Sequence, residues 1–136
     1  MPSDCLFCKI IAREIPAEIV YEDDGTLAFL DIHPINPGHT LIIPKRHSDS
    51  FAVTPPEDVA AVMRAAQTLS PAILKAVGAD AFNFTANNGR AAGQLVFHTH
   101  FHFMPRFAAD GYKMWHGPEG DHHLSDVAAK IRAALA

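Results

Sequence analysis

Residues 98–103 read His-Thr-His-Phe-His-Phe, with an imidazole at every second position. A period of two belongs to the β-strand, whose successive side chains point to opposite faces. The pattern predicts a strand over Val96–Met104 with His98, His100 and His102 on one face, neighbours about 6–7 Å apart, and Phe97, Phe101 and Phe103 in the core behind. A solvent-facing strand surface is ordinarily filled with Thr, Lys, Glu or Ser, so three aligned imidazoles point to chemistry. Histidine titrates near neutral pH, ligates metals and attacks phosphorus. Spacing alone leaves two uses open: histidines sharing a zinc that keeps a water, or a central imidazole nucleophile flanked by groups that orient it. The loop just upstream carries Asn87, Gly89, Gly93 and Gln94, small residues and amides suited to cradling an anion, which favours phosphate chemistry.

The rest of the chain frames that strand. Phe7, Ile10, Ile11 and Ile15 recur at helical intervals, predicting a short helix from near Cys5 that stops before Pro16. Ile19–Glu22 and Thr26–Leu30, separated by Asp23-Asp24-Gly25, read as a hairpin. Thr40–Ile43 is an apolar run bounded by Gly38 and Pro44, as a central strand would be. Thr54 and Glu57 have capping-box spacing ahead of a long helix whose stripe runs Val59, Val62, Met63, Ala66, Leu69, Ile73, Leu74 and Val77, with Pro71 expected to kink or interrupt it. Ala81–Ala86 alternates as a half-buried strand, residues 108–123 look irregular, and Leu124, Val127, Ile131 and Leu135 predict a final helix with Ser125 near its start. Strands clustered around one long helix give an α+β class with an antiparallel sheet.

At 136 residues the chain suits one domain over 1–136 and excludes a barrel of about 250 residues. Lys+Arg number 11 against 15 Asp+Glu, a formal charge of −4, which argues against sequence-independent grip on nucleic-acid polymers or anionic membrane. Residues 1–4 carry no basic and apolar leader pattern and no run is long enough to span a bilayer, so a cytoplasmic protein is expected. Cys5 and Cys8 are the only cysteines, spaced C-x-x-C, which in that setting points to metal or redox chemistry before a structural disulfide. No thioredoxin-like βαβ pattern surrounds them, which makes redox use the weaker option.

Gly93-Gln94-Leu95-Val96-Phe97-His98-Thr99-His100-Phe101-His102-Phe103-Met104 resembles the signature of the histidine triad (HIT) superfamily. Cys5–Ile11, Phe29–Ile32, Pro37–His47 and Asn87 are similar to segments of its Hint-like, nucleotide-binding branch, so the likeness covers about residues 4–107 and leaves 108–136 as a carboxy-terminal extension. The resemblance implies a five-stranded antiparallel sheet with one long helix and short terminal helices, a homodimer, and a hydrolase or transferase acting at the α-phosphate of a purine nucleotide. Carried over residue by residue, it implies His100 as the nucleophile that forms a nucleotidyl-histidine, His102 on the phosphate oxygens, His39 orienting the triad, and His98 completing the catalytic group. Asp31 would accept the ribose hydroxyls, Phe29 and Ile32 would line the base pocket, and Asn87, Gly93, Gln94 and Val96 would hold phosphate and leaving group. Cys5, Cys8, His47 and His98 would clamp a structural zinc, with no organic cofactor. The favoured substrates are nucleoside phosphoramidates or adenylated species. The alternatives are dinucleoside polyphosphates, or a non-catalytic nucleotide- or zinc-binding regulatory role. One departure touches the leaving group: many eukaryotic members have serine where this chain has Leu95. Trp115 is a candidate for reaching a partner's site, and His33, His116, His122 and His123 are expected at the surface.

Overall fold

A computed structural model describes residue 2 and residues 4–136; Met1 and Ser3, part of the amino-terminal segment read for a leader, lie outside the described residues. In chain order the elements are α1 (Leu6–Ile11), β1 (Ile19–Glu22), β2 (Thr26–Leu30), β3 (Thr40–Pro44), α2 (Pro56–Val77), β4 (Ala81–Thr85), β5 (Phe101–Arg106) and α3 (Leu124–Leu135). The five strands form one antiparallel sheet in the order β1-β2-β3-β5-β4, with β3 at its centre. No helix among the described residues is long and apolar enough to cross a membrane.

Strand alternation sorts the apolar residues onto the two faces of the sheet. Ala28, Ile42, Phe101 and Phe103 pack with Val62, Ala65, Ala66, Leu69 and Ile73 of α2. Leu27, Phe29, Leu41 and Ile43 pack instead with Phe7, Cys8 and Ile10 of α1. The register pairs Phe29 with Leu41 and Leu41 with His102, so one row across three strands carries these side chains on the α1 face. That row is the floor of the site. Gly38, at φ +90°, lets the chain pass between the sheet and α2; a Cβ there would come within 3.0–3.2 Å of Val77, Pro105 and Ile73.

Three local expectations are corrected. The strand that carries His102 spans Phe101–Arg106 and excludes His98 and His100. Its ladder to β3 ends at the Ile42–Phe101 pair: β3 closes at Pro44, which has no N–H to give, and the Thr99 N–H donates instead to the Ser48 carbonyl at 2.8 Å. The three imidazoles therefore do not share one strand face, and Phe97 is 36% exposed rather than in the core. The capping box is absent as well. Pro55 precedes the helix and Pro56 occupies its first turn, while the Thr54 hydroxyl donates to the Ser50 carbonyl at 2.8 Å and Glu57 pairs with Arg46. Pro71 does not interrupt α2, which runs unbroken from Pro56 to Val77; the proline lies on the exposed face, where the carbonyl it deprives of a partner can meet water.

Candidate functional site

A cleft of about 540 Å³ opens over the Phe29-Leu41-His102 row. His102 reaches it from β5 and His100 from just before that strand, Phe29 from β2 and Asp31 and Ile32 from just beyond it, and Asn87, Gly93 and Val96 from the loop before β5. Most of its remaining wall is apolar and comes from α1 and the segment that follows, Leu6, Phe7, Ile10, Ile15, Pro16 and Ala17, and His33, expected only at the surface, lines it too. Sequence reasoning missed that wall, whose only signal was the apolar spacing of the first helix. Leu95, at the position noted for the leaving group, also lines the cleft and is 90% exposed. Ile32 sits at the rim, 86% exposed, whereas Phe29 is buried in the floor. His33, His116, His122 and His123 are exposed.

The hydrogen-bond partners of the imidazoles assign their tautomers. His100 Nδ1 lies 2.7 Å from the His98 carbonyl, which can only accept, so Nδ1 carries the hydrogen and Nε2 keeps its lone pair. His39 Nδ1 accepts from the Ile35 N–H at 3.0 Å, which puts the His39 hydrogen on Nε2. That Nε2–H donates to His102 Nδ1 at 2.9 Å and also lies 3.5 Å from the Asp31 carboxylate. A neutral His102 must then carry its own hydrogen on Nε2. Two imidazoles with ring centres 5.1 Å apart thus differ in kind: His100 has a lone pair to give and His102 an N–H. Burial holds His100, His39 and His102 below the ordinary histidine pKa, His102 at about 4, so all three are neutral at pH 7. The edge of Phe7 covers His100, ring centres 5.0 Å apart.

Three of the predicted site residues do not themselves line the cleft. His98 is 0% exposed and does not line the cleft; its Nε2–H donates to the Pro44 carbonyl at 2.7 Å, and only its main-chain carbonyl touches His100. Gln94 is 2% exposed, its carboxamide bonded to main chain on three sides. His39 stands behind His102. Asp31, His39 and His102 also approach one another as metal ligands do, but the hydrogen between His39 and His102 already occupies that space.

Next to the cleft, Cys5, Cys8, His47 and His98 converge, their ligand atoms all within 4.8 Å. Three of the four S–N separations are 3.5, 3.5 and 3.6 Å and the two Nδ1 atoms are 3.2 Å apart. A tetrahedral zinc with Zn–N near 2.0–2.1 Å and Zn–S near 2.3 Å needs edges of about 3.6 Å and 3.3 Å. The outer partners fit too. The Pro44 carbonyl takes the His98 Nε2–H, and Asp49 takes the His47 Nε2–H at 3.0 Å, leaving both Nδ1 lone pairs facing inward. Burial and Cys5 push the bare Cys8 thiol up to about 11, and a bound cation would reverse that by taking the thiolate.

A family model described as the HIT domain matches residues 12–109. An uncharacterised HIT-like protein of Methanocaldococcus jannaschii is 44% identical over 94% of this chain and 98% of its own length. The adenylylsulfatase HINT3 of Arabidopsis thaliana is 50% identical over 81% of this chain, which spans only 56% of that plant protein. Among solved structures, a Streptococcus mutans protein superposes with a TM-score of 0.94 at 38% identity, covering 100% of this chain and 88% of its own. A zinc-bound histidine triad family protein from Mycobacterium smegmatis superposes at 0.77 with 37% identity, covering 96% and 97%.

Proposed function

The chain belongs to the HIT domain family, and from that footing we propose that it is a hydrolase or transferase acting at the α-phosphate of a purine nucleotide, with His100 Nε2 as nucleophile. The observation that carries this reading is the pair of opposed tautomers at the cleft: a lone pair on His100 and an N–H on His102, both neutral at pH 7. His100 attacks phosphorus, an N–P bond forms, and the bond to the leaving group breaks, its electron pair departing with that group, which takes up a proton from solvent that the hydrolytic water later replaces. The His98 carbonyl, bound to the Nδ1–H, steadies the positive charge that develops on the ring. The His102 Nε2–H donates to the phosphate oxygens, and His39 fixes its orientation. Water then cleaves the N–P bond and restores His100.

Asp31, Phe29 and Ile32 line one part of the cleft; in this reading Asp31 accepts the ribose hydroxyls and Phe29 and Ile32 meet the base. Asn87, Gly93 and Val96 also line the cleft, and this reading assigns them to the phosphate and leaving group. The plant relative's adenylylsulfatase name supports an adenylylated substrate, and nucleoside phosphoramidates and dinucleoside polyphosphates belong to the same reaction class. The Cys5/Cys8/His47/His98 cluster is assigned to zinc in a closed, structural role, supported by its tetrahedral edges and by the zinc-bound relative. The working state is a cytoplasmic homodimer, in which Trp115, 92% exposed, is free to meet a second copy.

Turnover of adenosine phosphoramidate, adenylyl sulfate and diadenosine polyphosphate, measured side by side, ranks the leaving groups. His100→Ala should lose at least about 10³-fold in kcat while AMP binding persists. Quenched wild-type reactions should show one nucleoside monophosphate added to the peptide that carries His100. Unchanged activity in the variant would refute the covalent mechanism.

A further inference from the structure

The Gln94 carboxamide is spent on main chain. Its oxygen accepts from the Gly89 N–H at 2.8 Å, and its nitrogen donates to the carbonyls of Asp49 at 2.7 Å and Val96 at 3.1 Å. Gly89 and Val96 lie on the loop that presents Asn87 and Gly93 to the cleft. Asp49 is two residues beyond His47 and accepts its Nε2–H. An unbroken series of contacts therefore joins the metal cluster to the phosphate side of the cleft: the His47 ring, Asp49, Gln94, then Gly89 and Val96. Apart from one short helical turn at Arg90–Ala92, this loop has no regular structure to hold it. Gly89, at φ 88° and ψ 157°, occupies backbone space that only glycine enters freely, so the loop's shape depends on what ties it down.

We propose that Gln94 is a positioning residue through which occupancy of the Cys5/Cys8/His47/His98 cluster sets the affinity of the 87–96 loop for a nucleotide phosphate. The proposal rests on the nucleotide and zinc readings above. With a cation bound, the His47 ring is fixed by Nδ1 and directs its Nε2–H at Asp49, which seats the Asp49 carbonyl against Gln94. Without one, His47 Nδ1 has only the Cys8 sulfur at 3.5 Å and the His98 Nδ1 at 3.2 Å to meet, the His47 ring gains freedom to rotate, and the series loses its anchored end. The coupling is reciprocal: zinc strengthens nucleotide binding by the same factor as nucleotide strengthens zinc binding.

The test reads binding of AMP and Zn²⁺ to the full chain by calorimetry and chelator competition, each with and without the other. Wild type should show about tenfold tighter AMP binding when zinc-loaded, and the same factor for zinc when AMP saturates. Gln94→Leu should keep its zinc affinity, bind AMP about tenfold more weakly, and lose the dependence of either ligand on the other. In turnover assays its KM should rise more than its kcat falls, which a general loss of structure would not produce. Gln94→Met is the second variant if Leu is not tolerated. Should the metal-free protein unfold, the zinc-loaded comparison still decides: equal AMP affinity in wild type and variant, at equal zinc content and circular dichroism, overturns the proposal. AMP binding that ignores zinc in the wild type overturns it alone. A wild type that binds no AMP in either state overturns the nucleotide reading with it.

Discussion

The two imidazoles at the cleft differ because of backbone groups that no side-chain pattern announces. A lone carbonyl, that of His98, puts the hydrogen on His100 Nδ1; a lone amide, that of Ile35, sends the His39 hydrogen toward His102. The sequence names which residues are histidine and which are glycine, so the candidate set was readable. Which nitrogen carries the hydrogen was not, because it depends on how the backbone folds back at His98 and on the Ile35 amide, which acts on His102 through His39, far from it in sequence. The same holds for Gln94, whose amide looks like a ligand on paper and is a tie between loops in space. Burial leaves a measurable mark on this group. It lowers His39, and lowers His102 from the ordinary 6.5 to about 4. Between those values the unfolded chain binds protons that the folded chain refuses, so stability rises with pH across the window. It is complete above about pH 6.5 and is lost progressively as pH falls toward 4. Urea midpoints measured from pH 7 down to 4.5 should fall steadily, and His102→Gln should flatten part of the slope. A flat wild-type profile would contradict the neutral, buried assignment.

Among the elements, those read from simple periodicity are present close to where they were read, the hairpin of β1 and β2 and the final helix α3 among them. The failures share a cause: a local signal was outbid by a partner from elsewhere in the chain. Thr54 has the sequence of a cap but its hydroxyl belongs to a buried group with Ser48 and Thr99. Residues 98–100 have the alternation of a strand but face the end of β3, where Pro44 stops the ladder. Pro71 is tolerated within α2 without being favourable there, so Pro71→Ala should stabilise the protein by about 1–3 kcal/mol, the cost of an interior proline less the entropy it removes from the unfolded chain. Thermal midpoints test this, and a loss of stability would show that the helix uses the proline. The helix α1 has the opposite status. Six residues do not form a stable helix in water, so α1 depends on its packing and on the Cys/His cluster that begins at its cap, Cys5. With zinc in the cluster as proposed, chelation should cost about 2 kcal/mol or more, some 5 °C in midpoint, and Cys5→Ser should reproduce the loss without further response to chelator. An unaffected midpoint would remove the ion from the account of α1.

At the scale of the molecule, charge and cleft pull in different directions. The chain carries −4 at neutral pH, and the described residues that line the cleft include Asp31 but no Lys or Arg. A nucleotide is an anion, so no long-range field draws it in, and in the proposed reading what holds it acts at hydrogen-bond range: the His102 N–H, main-chain amides of the 87–96 loop not already paired within it, and the Asn87 side chain. Such contacts are screened little by salt, because they are far shorter than the Debye length of about 10 Å at 0.1 M. The only long-range term is a weak repulsion, and salt relieves it. For an anionic substrate kcat/KM should therefore stay within about twofold, or rise slightly, between about 20 and 200 mM salt. Proteins that gather anions through a basic surface lose rate steeply over the same range. A tenfold fall would mean that cations outside the cleft lining steer the substrate, and the search for them would begin at Arg90, which stacks over Phe97 beside the loop that carries the amides. Salt independence together with the loss of turnover in His100→Ala would place recognition and chemistry within the same few ångströms, a consequence of putting neutral donors, not charges, over the Phe29-Leu41-His102 row.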